Sequence, residues 1–205
     1  MNIDNTTLAW WNEFLVSWNG ISLLAVMGEQ EPSVVLTSDA SGSWGCGAYW
    51  GSEWFQLPWS DTECAVEVNI ATKELIPIVI AAAIWGRAWT GLVVCCHCDN
   101  EAVVAVINKR TSKDAELMHL LRCLVFFEAK FSTRMIATHV AGKQNTLADD
   151  LSRDRLSSFL QAAENMSLTG QCFPPQPLLD MLVNHKPDWT STTWREMFKS
   201  TLSLV

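Results

Sequence analysis

The stretch MIATHVAGKQNTLADDLSR, residues 135–153, decides how the rest of the chain is read. Met135 to Val140 has the composition of a strand. Gly142 marks a turn, and Thr146 to Arg153 begins a helix. Asp149 falls in the opening turn of that helix, where the helix dipole favours a negative charge. A strand thus delivers the chain to a helix that carries an acid near its start.

Working back from there, strand-like and helix-like segments alternate. Ser33 to Ser38 is a β-branched run, followed by Gly42, Gly45 and Gly47. Ala48 to Trp50 and Glu53 to Leu57 read as strands joined by a tight turn at Gly51-Ser52. Ile70 to Trp89 reads as one helix, with Pro77 expected to kink it. Gly91 breaks that pattern, and Leu92 to Cys98 is a continuous apolar strand. Glu101 to Asn108 and Asp114 to Lys130 read as helices, the second with Leu117, Leu120, Leu121, Leu124 and Phe127 at helical spacing. The order is three strands, helix, strand, helices, strand, helix. It predicts an α/β fold, with an antiparallel meander first and parallel strands added later.

Outward again lie two flanks. Residues 1–32 form an N-terminal connection segment, with a helix-like stretch from Leu8 to Val16 and a turn at Asn19-Gly20. Residues 33–153 form the main domain. Residues 154–205 lose the alternation, carry Pro174, Pro175, Pro177 and Pro187, and read as a linker with short helices at Ser157 to Asn165 and Thr193 to Ser200.

The chain has 205 residues, 49% of them apolar and 18% charged, which is globular composition rather than disorder. Of the 11 Trp, Trp10, Trp11, Trp18, Trp189 and Trp194 lie near the ends, which suggests flanks that dock on something. No run approaches the roughly 20 apolar residues of a membrane span. Met1 to Thr7 lacks the basic start and apolar run of a secretory signal. The 7 Cys read as reduced thiols. An intracellular protein, cytoplasmic or nuclear and without a membrane partner, is expected. The net charge of -8 argues against a protein that simply coats nucleic acid.

Four carboxylates stand where a site could form. Asp39 ends the first strand, Asp99 ends the fourth, and Asp149 opens the last helix. Glu74 shares a helical stripe with Ile78, Ala81 and Trp85 and so points toward the sheet. Strand ends are the usual place for sites in α/β sheets. Each acid alone also reads as a cap, a turn residue or a solvated side chain. Clustered acids without counter-charge raise one another's pKa, and a divalent cation removes that cost. All-oxygen ligands suit Mg²⁺ or Mn²⁺.

The local sequences resemble those of ribonuclease H domains. Thr37-Ser38-Asp39-Ala40-Ser41 with Trp44-Gly45-Cys46-Gly47-Ala48 is similar to their first-strand motif. Lys73-Glu74-Leu75 and Cys98-Asp99-Asn100 resemble the helix and fourth-strand motifs. His139 to Asn145 followed by Ala148 to Arg153 resembles the closing signature of retroelement members, most like the DIRS-like group that encodes a tyrosine recombinase. The likeness spans about residues 34–153.

This resemblance implies a ribonuclease H-like fold with a mixed five-stranded sheet flanked by helices, three strands antiparallel and then two parallel. It implies hydrolysis of the RNA strand of an RNA–DNA hybrid with two Mg²⁺ or Mn²⁺ ions held by Asp39, Glu74, Asp99 and Asp149. Asp150 is the neighbour that could be confused with Asp149. His139 takes the place of a mobile histidine linked to product release or proton transfer. Ser41, Gly42, Asn100, Lys109, Arg110 and Asn145 are the implied substrate contacts. The implied partners are the hybrid, a reverse transcriptase domain upstream and a recombinase domain downstream. From residue 34 to 153 there are 10 Lys or Arg and 13 Asp or Glu, a net of 10 - 13 = -3. Neutralising the four site acids leaves a weakly positive remainder, and Lys109, Arg110 and Lys113 cluster where they could meet phosphates.

Three rival readings fit the same residues. One is a catalytically silent ribonuclease H-like module that serves as a structural or nucleic-acid-binding domain. A second is a zinc site built from Cys95, Cys96, His97 and Cys98, which strand alternation disfavours. A third is another nuclease or integrase of the same superfold.

Overall fold

The computed structural model describes residues 31–61, 68–168, 170–174 and 176–183, together with Leu8, Trp11, Asn12 and Leu15, which are helical. The helix expected at Thr193 to Ser200 and the tryptophans Trp10, Trp18, Trp189 and Trp194 lie outside the described residues.

A mixed sheet forms the centre. Its strands are β1 (Val34–Ala40), β2 (Gly45–Trp50), β3 (Glu53–Pro58), β4 (Val93–Cys98), β5 (Arg134–His139) and β6 (Gly170–Gln171). They lie in the order β5-β4-β1-β2-β3-β6. β1, β2 and β3 pair antiparallel, with Gly51 at a φ of 59° turning the chain between β2 and β3. β4 joins β1 in parallel and β5 joins β4 in parallel. This is the α/β arrangement expected, with a correction of strand number from five to six. The added strand, β6, is two residues long and runs parallel to β3. Gly170-Gln171 has no apolar alternation to announce it.

Among the described residues, the helices that flank the sheet are α1 (Ile70–Trp85), α2 (Glu101–Lys109), α3 (Ala115–Phe131), α4 (Thr146–Ser152), α5 (Leu156–Asn165) and α6 (Gln176–Val183). α1 runs unbroken through Pro77 and stops at Trp85, four residues before the expected end. The side chain of Asn69 caps it by accepting from the Thr72 N–H. Asn100 and Asp114 cap α2 and α3 in the same way.

The larger core lies between the sheet and α1, α2 and α3, with Leu36, Phe55, Ile78, Ile80, Ile107, Leu120, Leu124 and Met135 fully or almost fully buried. A smaller core on the opposite face joins Trp54 and Leu151 to Phe159, Ala163 and Leu168. Leu178, Leu179 and Leu182 of α6 pack into the larger core. The segment after residue 154 therefore adds helices and a strand to the body of the fold, and α5 occupies almost the span expected for a linker helix.

Candidate metal centre

The sheet register brings the first and fourth strands into line at one end. Thr37 pairs with His97, and two residues further along each strand stand Asp39 and Asp99. Cys98 pairs with His139 at the neighbouring strand end. Alternation puts Leu36 into the larger core, so Asp39 turns to the opposite face, toward α4.

Asp39 is buried there, 4% exposed. Its Oδ2 accepts from the Ser152 hydroxyl, and its Oδ1 accepts from Asn145 Nδ2 at 3.4 Å. The same Asn145 amide donates to the Ser38 carbonyl at 2.9 Å, which fixes the loop before α4 onto β1. α4 itself can approach β2 because residue 47 is glycine. A Cβ there would collide with the Leu151 side chain.

Glu74 comes from α1, on the other side of the strand ends. It is 4% exposed, and its Oε2 is buried without a hydrogen-bond partner. Asp99 is half-buried, and a carboxylate oxygen of Asp99, one of Glu74 and the Cys98 sulfur all lie within 4.8 Å of one another. Gly142 passes so close that a Cβ there would sit 3.1 Å from Asp99 Oδ2. His139 Nε2 lies 3.1 Å from the Asp99 carbonyl, which ties the histidine to the same strand ends.

The charges interact strongly. Burial, reinforced by Asp39 and Asp99, pushes the Glu74 carboxyl up to about 9. Burial also pushes Asp39 up to about 6; the Ser152 hydrogen bond works against this, while Asp99 and Asp149 add to it. Asp149 behaves otherwise. Burial acts to raise it, yet hydrogen bonds and charge from Arg153 and Arg155 outweigh that and hold it below the usual range. Its two oxygens accept from Arg153 Nε and Arg155 Nη2. Asp150 is drawn away from the cluster, accepting from Arg155 Nε at 2.6 Å and Ser158 Oγ at 2.8 Å. The charge of Asp149 reaches Asp39 and raises its pKa.

The donor set fits hard divalent cations. Buried carboxylates face one another, one oxygen is orphaned, and the nearest arginines bind Asp149 and Asp150 rather than Asp39 or Glu74. Asp39, Glu74, Asp99 and Asp149 are thus brought to one end of the sheet.

The implied substrate contacts are distributed unevenly. The Ser41 hydroxyl is used inside its own turn, accepting from the N–H groups of Trp44 and Gly45 and contacting the Gly45 carbonyl. Gly42 is exposed beside the cluster, its carbonyl accepting from Lys73 Nζ. Asn100 is half-buried next to Asp99 with its Oδ1 engaged as a helix cap. Asn145 is buried, and its Oδ1 has no partner. Lys109 is exposed. Arg110 is turned inward: its guanidinium grips Glu128 at 2.6 and 2.8 Å and the Met135 carbonyl at 2.6 Å, so these bonds must break before it can meet a phosphate.

Four side chains at the centre lie outside the sequence expectation: Ser152, Cys98, Lys73 and Arg155. Ser152 was the most accessible, since it follows Asp149 by three residues on a helix and shares its face. Cys98 was hidden because neighbours on a strand point apart, and only the turn at the strand end brings its sulfur to Asp99.

No family model matches the chain, and no curated protein matches it. Among solved structures it is similar to an RNase H1 from the halophilic archaeon Halobacterium salinarum NRC-1. The identity is 14%, covering 61% of this chain and 98% of that one, with a TM-score of 0.46. It is similar also to LC11-RNase H1, isolated from compost, at 14% identity over 63% of this chain and 99% of that one, TM-score 0.44. The structure of LC11-RNase H1 in complex with RNA/DNA hybrid matches at 14% identity, 62% and 99% coverage and a TM-score of 0.46. Among the described residues, no helix is long and apolar enough to cross a membrane.

Proposed function

We propose that the chain is a ribonuclease H, hydrolysing the RNA strand of an RNA–DNA hybrid with two bound Mg²⁺ or Mn²⁺ ions. The observation that carries this reading is the burial of Asp39 and Glu74 beside Asp99 at the aligned ends of β1 and β4, with neither acid held in an ion pair among the described residues and one Glu74 oxygen unpartnered. A fold gains no stability from such a cluster, whereas a phosphoryl-transfer site needs it.

Asp39, Glu74, Asp99 and Asp149 would hold the ions. Bound divalent cations supply Lewis-acid polarisation of the scissile phosphate and a water acidic enough to attack at neutral pH. The chain's own residues set the rest. Ser152 and Asn145 orient the Asp39 carboxylate, and Gly142 leaves Asp99 open to the face where a phosphate would lie. Arg153 and Arg155 keep Asp149 ionised. His139 stands exposed at the edge of the centre, positioned to move a proton to or from the departing strand. Exposed Gly42 and the backbone around Asn100 would test for a 2′-hydroxyl. Lys109 and Lys113 lie on the surface, where they can meet phosphates of the DNA strand.

The motifs from His139 to Arg153 support a wider setting. The domain would work inside a retroelement replication polyprotein of the DIRS-like kind, within the cell, with a reverse transcriptase before it and a recombinase after it. A polymerase would supply the hybrid grip that a weakly charged domain lacks.

Labelled RNA–DNA hybrid incubated with Mg²⁺ or Mn²⁺ tests the proposal. The wild type should release fragments with 5′-phosphate and 3′-hydroxyl ends, and Asp39→Asn and Asp149→Asn should not. Equal cutting by all three would overturn the site. Binding of hybrid without any cutting, under either metal, would favour a silent module instead.

A further inference from the structure

We propose that Glu74, Cys98 and Asp99 form a binding site for a thiophilic divalent cation, Zn²⁺ or Cd²⁺, that shares two carboxylates with the hard-cation centre and adds a sulfur ligand. Cys98 is wholly buried on the α1 side of β4, the side from which Glu74 approaches. Its sulfur and one oxygen each of Glu74 and Asp99 lie within 4.8 Å of one another. Ligand atoms of a tetrahedral zinc site stand about 3.3–3.8 Å apart, given bonds of about 2.0–2.3 Å. An adjustment of about one ångström in these side chains therefore closes the site.

An independent observation points to a ligand. Glu74 Oε2 is buried and has no hydrogen-bond partner, in a residue 4% exposed. The Cys98 sulfur has only weak engagements, at 3.4 Å from the Asn100 N–H and 4.0 Å from its carbonyl. Asp99, half-buried and flanked by Gly142, supplies the opening to solvent. On binding, the thiol proton leaves to water, a cation–sulfur bond forms, and the cation gives up water molecules in exchange for the three protein ligands. A hard cation bound by oxygen alone cannot use the sulfur, whereas Zn²⁺ and Cd²⁺ favour it.

The site stands on these three side chains. Its competition with Mg²⁺ rests in addition on the proposed nuclease function. The test uses the full chain with Cys64→Ser and Cys172→Ser, in buffer free of divalent ions and nucleic acid. Cd²⁺ is titrated while the ultraviolet cadmium–thiolate charge-transfer absorbance is read. The absorbance should saturate near one equivalent and vanish in a further Cys98→Ser variant. Glu74→Gln, which keeps the thiol, should bind Cd²⁺ at least about tenfold more weakly, and this arm carries the test should Cys98→Ser fail to fold. Zn²⁺ should displace the Cd²⁺. No absorbance at stoichiometric Cd²⁺, an undiminished signal in Cys98→Ser, or unchanged affinity in Glu74→Gln would each overturn the proposal. Excess Mg²⁺ should shift the Cd²⁺ curve to higher concentration. A saturable signal that Mg²⁺ leaves in place would keep the thiophilic site and count against the nuclease reading.

Discussion

Glu74 and Glu128 are both 4% exposed, both on helices against the sheet, and they have opposite surroundings. Glu128 is fully partnered. Arg110 grips both its oxygens, and the Met135 N–H donates to it at 2.6 Å. Burial still raises its pKa, with the arginine pulling it back. Glu74 has one orphaned oxygen, acids for neighbours, and a carboxyl near 9. The fold supplies an arginine to one buried glutamate and withholds it from the other. A chain able to neutralise Glu128 could do the same for Glu74. On the proposed nuclease reading, the difference is that Glu74 would be held for metal binding and Glu128 for structure.

The two glutamates should therefore separate activity from stability when each becomes glutamine. Glu74→Gln should lower hybrid cleavage by on the order of a hundredfold or more, since a ligand matters at least as much as its supporting residues. The same change should not destabilise the protein. Glu128→Gln should do the reverse, preserving cleavage per folded molecule and lowering the melting temperature. Cleavage assays beside thermal melts check both, and a matched loss of activity and stability in Glu74→Gln would dissolve the contrast.

Breaking the partnered side should come next in size. Arg110→Met leaves Glu128 buried and alone, at a cost of about 2–4 kcal/mol, reduced toward the lower figure because the arginine side chain is 34% exposed. Urea unfolding at neutral pH measures it. Glu128 should then acquire the raised titration of Glu74, and the loss should grow as pH rises. A variant as stable as wild type at pH 8 would mean the pair is only ornamental.

Glu74 and Asp39 also set a pH dependence. Their folded pKa values, about 9 and about 6, stand above the ordinary values of 4.5 and 3.8 for free glutamate and aspartate. The folded state thus holds protons that the unfolded state has released, and stability falls as pH rises across those windows. Without divalent ions the melting temperature should decline from pH 5 to pH 9. Glu74→Gln should flatten the decline, gaining several degrees at pH 8, on the order of 1–3 kcal/mol, and little at pH 5. Added Mg²⁺ should restore the wild type at high pH.

These contrasts also show how far the sequence could be read. The elements were legible because β1 and β4 are apolar runs and α3 repeats leucines at helical spacing. The four acids were legible because strand ends and first helical turns are places where a chain displays side chains. The partners were not. Arg110 sits in a basic run with Lys109 and Lys113, and sequence distance hides that its backbone, at a φ of 57°, turns the guanidinium back toward α3. β6 was hidden because two residues make no pattern. Its pairing follows from α5, whose Phe159 packs on Trp54 of β3 with ring centroids 4.9 Å apart.

The smallest effect concerns the one site acid that does have arginines. Asp149 is 29% exposed and bound by Arg153 and Arg155, so a cation must compete with two guanidinium groups for its oxygens. Arg155 is the better one to remove, because it divides its bonds between Asp149 and Asp150. Arg155→Gln should strengthen Mn²⁺ binding by about two- to threefold, within the range of exposed ion pairs. Binding calorimetry or the electron-spin signal of free Mn²⁺ reads this without substrate. High salt should narrow the gap, since it screens the arginine in the wild type. Weaker Mn²⁺ binding in the variant would show that the arginine presents Asp149 to the cation rather than contending for it. The partnered acid would then belong with Glu74 rather than with Glu128.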